Sequence, residues 1–203
     1  MPLRNRVTPF GDIIETSARG LLYGNRGVLH DGDRRLVRTW QVRRWIACRL
    51  EFKGRRRVDQ MPPGRFTSLY FLDEATALAA GHRPCAECRR EDYRRFQAAW
   101  PGRSSKADDM DRMLHAERVG PDRSKLLHPA ALNDLPDGAM IAEEGGAWLV
   151  VRGRLLEWTP FGYEEVRPRR GSRTVQTITP PSILGAIHRG YRPTLHPSAG
   201  PIR

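Results

Sequence analysis

Three cysteines set the tightest constraint on this 203-residue chain: Cys85 and Cys88 stand in Pro84-Cys85-Ala86-Glu87-Cys88, and Cys48 lies far upstream. Thiolates three residues apart can share one metal ion, and a helix beginning at this segment would lower their pKa. An odd cysteine count cannot complete a disulfide framework. A redox Cys-x-x-C would call for a thioredoxin-like strand–helix–strand setting, which the flanking sequence lacks. Three unrelated buried thiols are the remaining alternative. The pattern favours zinc. Any fold that satisfies it must bring the segment of Cys48 to the turn of Cys85 and Cys88.

The surrounding sequence predicts an α+β fold. Residues 1–60 read as β-rich, with a hairpin where Val28–His30 and Leu36–Val37 flank Asp31-Gly32-Asp33. Over Trp45–Phe52 the residues alternate: Ile46, Cys48, Leu50 and Phe52 form an apolar side, and Trp45, Ala47, Arg49 and Glu51 the other. Leu69–Leu72 predicts a strand, Asp73 an N-cap, Glu74–Ala80 a helix and Gly81 its left-handed stop. Two further helices are predicted: Glu87–Trp100, with Tyr93, Phe96 and Trp100 on one face, and Asp108–Val119. After a Pro/Gly/Ser-containing link, strands are predicted at Met140–Ala142, Ala147–Val151, Leu155–Trp158 and Thr174–Thr179. A short helix, Ser182–Gly190, and a Pro-rich tail follow. The expected organisation is a zinc-bearing sheet-and-helix unit over residues 1–119 and a smaller β-rich unit over 120–203.

Charge points to the partner. Lys+Arg number 35 against 23 Asp+Glu, a formal charge of +12 with a pI near 10.7. Such an excess attracts a polyanion, most readily nucleic acid. The basic residues are nearly all arginine, which favours bidentate phosphate and base contacts, although GC-rich codons also enrich it. Arg26, Arg44, Arg49, Lys53, Arg55, Arg56, Arg57 and Arg83 form the expected phosphate track, with Trp40, Trp45 and Tyr70 available for base stacking. Arg26 sits in Gly24-Asn25-Arg26-Gly27, a plain β-turn or a loop whose amides cradle a phosphate. No run approaches eighteen apolar residues, and the start lacks a secretory pattern, so a cytoplasmic, non-membrane protein is expected.

The stretch Ala75-Thr76-Ala77-Leu78-Ala79-Ala80-Gly81-His82-Arg83-Pro84-Cys85-Ala86-Glu87-Cys88-Arg89 resembles the zinc-binding N-terminal domain of the Ada DNA-repair proteins. Trp45-Ile46-Ala47-Cys48-Arg49 is similar to the segment that carries that family's methyl-accepting cysteine. The resemblance spans about residues 40–95. It implies a zinc centre with Cys48, Cys85 and Cys88 as three of four thiolate ligands, DNA as partner and methylphosphotriester repair as activity. Cys48 would be the alkyl acceptor. The family's remaining cysteine is absent, and Phe52 stands in its place. Four thiolates keep a zinc site doubly negative and its sulfurs nucleophilic. Three thiolates with a neutral fourth ligand are less so, and leave room for metal-assisted hydrolysis.

For the fourth position the sequence offers, in order, His115, water, His82 and Glu51. His115-Ala116-Glu117 and the Pro-Cys-x-x-Cys segment are also the two pieces of a zinc deaminase signature, in reversed order and with Cys48 as an extra thiolate. Convergent use of these parts would put His115 on the metal and make Glu117 a general base. The simpler alternative pairs Glu117 with Arg118. The resulting expectation is a zinc-containing DNA-binding protein acting in repair or processing of damaged or modified DNA, with Cys48, His115 and Glu117 as catalytic candidates. A zinc-dependent hydrolase on nucleic acid or nucleotide, and a non-catalytic zinc-stabilised binding module, are the alternatives.

Overall fold

The computed structural model describes residues 2–56 and 61–200 and has an α+β fold. Its first sheet uses β1 (Arg4–Val7), β2 (Ile13–Glu15), β3 (Leu22–Asn25), β4 (Ile46–Arg49), β7 (Leu69–Phe71) and β8 (Arg83–Pro84). Between β4 and β7 lies a separate ribbon of β5 (Glu51–Phe52) and β6 (Arg55–Arg56). The sheet order is β2-β1-β7-β3-β4-β8, with β1–β7 and β4–β8 parallel and the other pairs antiparallel. Helices α1 (Glu74–Ala79), α2 (Arg90–Ala99) and α3 (Ala107–Arg118) belong to the same half of the chain. The second sheet is antiparallel throughout. It comprises β9 (His128–Ala131), β10 (Met140–Glu143), β11 (Gly146–Val151), β12 (Arg154–Thr159), β13 (Gly162–Pro168) and β14 (Thr174–Thr177), in the order β13-β12-β11-β10-β14-β9. Helix α4 (Pro181–His188) follows.

Alternation explains why the second sheet is covered on both faces. Met140, Ala147, Leu149, Val151 and Leu156 join Ala75 and Ala79 of α1 in one apolar cluster. Their neighbours Ile141, Trp148, Val150 and Leu155 join a different one with Leu132 and Val175. A third cluster packs Phe96 and Trp100 against Met110, Leu114, Ile183 and Ile187, uniting α2, α3 and α4. The two sheets fall on either side of residue 120, while two of the hydrophobic clusters cross it.

Asp73 anchors this junction. One carboxylate oxygen accepts from the Thr76 amide and hydroxyl, both at 2.8 Å, which caps α1. The other accepts from the Tyr163 hydroxyl at 2.8 Å and the His196 amide at 3.0 Å, so a fully buried carboxyl group meets four donors.

Three expectations shift. The hairpin around Asp31-Gly32-Asp33 reduces to a single bridge, His30 to Leu36, because the Asp31 carboxylate takes the amides of Asp33 and Arg35. The Trp45–Phe52 strand breaks at Leu50, and both of its faces are buried from Trp45 to Cys48 apart from partly exposed Ile46. Helix α2 starts at Arg90 rather than Glu87, because Cys85–Arg89 forms a turn closed by the Arg89 amide on the Cys85 carbonyl at 3.1 Å.

Candidate metal centre

The parallel pairing of β8 to β4 builds the centre. The amide of Arg83 donates to the Trp45 carbonyl at 3.1 Å, and that of Cys85 to the Ala47 carbonyl at 2.9 Å. This register places Cys85 beside Cys48, and the following turn folds Cys88 back onto both. The three Sγ atoms lie within 4.8 Å of one another, and the residues are 4%, 8% and 9% exposed. Tetrahedral zinc with Zn–S bonds of about 2.3 Å needs sulfurs roughly 3.8 Å apart, a spacing inside that bound. Three soft thiolates are a donor set that suits zinc. Phe52 packs against the cluster together with Tyr23 and Ile46, as an apolar wall.

Hydrogen bonding prepares the sulfurs. Cys85 is held well below the usual thiol range, first by the thiols of Cys48 and Cys88 and then by the amides of Cys88 and Glu87. Cys48 is pushed far up by its hydrogen bonds to Cys85 and Cys88 and by burial. The Arg49 amide donates to Cys88, which its hydrogen bond to Cys85 and burial nonetheless push up. Turn and strand amides thus point at sulfur, the arrangement a metal-thiolate site uses to spread its negative charge.

No His, Asp or Glu joins this group among the described residues. His115 is corrected as a ligand: its ring lies edge-on to Trp40, with centroids 4.6 Å apart. His82 is fully buried against Trp45 and Phe71, and its Nε2 accepts from Arg26 at 3.2 Å. Glu51 is exposed on β5. Glu117 is corrected as a general base at the metal. Its carboxylate accepts from the Ser182 amide at 3.0 Å and the Ser182 hydroxyl at 2.5 Å, and so caps the first turn of α4.

The basic track divides. Arg44, Arg49 and Lys53 are exposed, and Lys53 lies over the Phe52 ring at 5.3 Å. Arg83 is corrected: it forms a buried bidentate pair with Asp111, at 2.9 and 2.7 Å. Arg26, 1% exposed, is corrected as a surface phosphate contact. Arg57 and the side chains of Arg55 and Arg56 lie outside the described residues. Trp45 is unavailable for surface stacking, because the guanidiniums of Arg26 and Arg118 lie over its ring at 4.1 and 3.9 Å. Sequence reasoning missed Arg118 and Asp111. The helical pattern of α3 put both inside a predicted helix but not on its buried side.

Compared with known protein families, curated proteins and solved structures, the chain matches none. Among the described residues no helix is long and apolar enough to cross a membrane.

Proposed function

We propose that the chain is a zinc-thiolate protein that binds DNA and acts in the repair or processing of damaged or modified DNA. The carrying observation is the convergence of Cys48, Cys85 and Cys88 from two distant segments into one thiol cluster. The charge of +12, the exposed Arg44, Arg49 and Lys53 flanking the Cys48 strand, and the resemblance of residues 40–95 to the Ada zinc domain support the DNA partner. Bound zinc would supply either activated thiolate or Lewis acidity at an open fourth position. Cys48 is the residue that would accept an alkyl group. Arg49 and Lys53 would hold the backbone, the amides of Glu87 and Cys88 would favour an anionic Cys85 sulfur, and the Arg49 amide would do the same for Cys88.

Metal analysis of the purified protein should give one zinc per chain, falling to near zero in Cys88→Ser. Titration of a DNA duplex should show affinity falling steeply with added salt, in proportion to the phosphates contacted. A flat salt response would remove the nucleic-acid reading. Mass spectrometry after exposure to a methylphosphotriester duplex then separates two chemistries. One added methyl group on Cys48 marks direct repair. Multiple turnovers with unmodified Cys48 mark a hydrolase, the second reading, which the three-thiolate donor set favours.

A further inference from the structure

Trp45 immediately precedes β4 and, three residues before Cys48, faces the opposite side of the strand, about 10 Å along it. A pocket of about 340 Å³ opens there, at the small end of the range for ligand sites, about 300–1,000 Å³. Its lining carries four cations, Arg26, Arg118, Arg123 and Lys125, against one acid, Asp12. None of the four has an ion-pair partner among the described residues. Of the nearby carboxylates, Asp111 is engaged by Arg83 and Glu117 by Ser182, while Asp12 attracts Arg26 without an ion-pair contact.

The polar atoms of the pocket are unfinished. Arg26 donates through Nε to His82 and through Nη1 to the Gly11 carbonyl at 2.8 Å, which leaves buried Nη2 without a partner. Arg118 donates to the Gly81 carbonyl at 2.6 Å and the Arg43 carbonyl at 2.5 Å, which leaves buried Nε. Trp40 Nε1 is a third orphan on the same lining. Both arginines are 1% exposed. All three orphaned groups can only donate, so the partner they lack is an acceptor.

The walls are prearranged for that partner. Stacking on Trp45 fixes both guanidinium planes. Gly81 lets Arg118 approach, since a Cβ there would lie 2.4 Å from Arg118 Cδ. Burial lowers Arg26 to about 9 against the pull of Asp12, and lowers Arg118 and Lys125 as well, where repulsion from neighbouring cations adds and Asp111 and Glu117 at Arg118 and Glu117 at Lys125 oppose. The cluster is short of negative charge. Arginine forks match phosphate oxygens, and several cations around one cavity suit a dianion.

We propose that this pocket binds a phosphate monoester, whose oxygens accept from Arg26 and Arg118 and whose planar organic part lies against Trp40. The site is separate from the cysteine cluster and does not depend on its metal. Arg123, exposed at the mouth and 5.5 Å from the Trp40 ring centroid, would close over the ligand.

The test uses the full-length protein, with tryptophan fluorescence and thermal shift read against AMP, adenosine, and one oligonucleotide with and without a 5′-phosphate. AMP should quench fluorescence and raise Tm, and adenosine should bind at least tenfold more weakly. Arg123→Glu should cut AMP affinity at least tenfold while the unliganded protein keeps its Tm. Arg118→Met should abolish binding, and Arg123→Glu keeps the test decisive if that buried change impairs folding. A tenfold preference for the phosphorylated oligonucleotide over its hydroxyl form would support the site with a strand end as ligand. AMP binding without that preference would support it with a free nucleotide as ligand. No response to any phosphate-bearing probe, equal affinity for AMP and adenosine, or unchanged affinity in Arg123→Glu would overturn the proposal.

Discussion

The two halves of the molecule bury their interiors in different ways. Between residues 128 and 200 the strands fill apolar clusters, and each buried charged or hydroxyl group meets a partner. The first half instead buries Arg26, Arg83, Arg89 and Arg118 as well as three thiols. Among the described residues, every orphaned buried side-chain atom belongs to a residue between Arg26 and Arg118. A fold tolerates unfinished polar groups where something else completes them, so this contrast locates function in the first half and support in the second. Asp73 and Glu74 join the halves, Asp73 through Tyr163 and Glu74 through Tyr191 and the Thr194 amide.

Substitutions can break or sharpen that contrast. The largest loss is expected for Asp111→Ala, which strands buried Arg83 and should cost about 3–5 kcal/mol, or roughly 6–20 °C in Tm. Replacing both partners with apolar residues, Arg83→Met with Asp111→Leu, should recover most of it. If the double variant stays as unstable as the single one, the polar pair is not what holds this half. Leu149→Ala, fully buried in the second sheet, should cost about 2–5 kcal/mol through cavity formation, with metal content unchanged. Loss of zinc in that variant would join the halves more tightly than proposed. Glu117→Ala should cost about 1 kcal/mol, or roughly 2–4 °C, because it uncaps α4. It should leave the metal in place, and metal loss would return Glu117 to the centre. Phe161→Ser, at the exposed tip of the β12–β13 hairpin, should change stability by no more than about 0.5 kcal/mol.

Local features were readable in the sequence where local physics decides them. The Asp73 cap, the stop at Gly81 and the β10, β11 and β12 strands follow from capping chemistry and alternation. The cysteine trio was readable because thiol spacing is specific. Strands β9 and β13 were not, for lack of alternation: β9 carries Pro129, which only an edge strand accommodates, and β13 is largely exposed. The arginines misled for a different reason. A basic side chain reads as surface unless its partners are known, and those partners are distant in sequence: His82 for Arg26, Asp111 for Arg83, Gly81 for Arg118. His115 and Glu117 looked like chemistry because His-x-Glu is a known metal pattern. The packing of α3 turns one toward Trp40 and the other toward α4.

Zinc-edge X-ray absorption on the purified protein tests the central claim most directly, because it counts the sulfurs on the metal. The account predicts three sulfur ligands at about 2.3 Å and one light-atom ligand that is not imidazole. A protein that folds without taking up zinc, or a spectrum with two sulfurs or fewer, would contradict it.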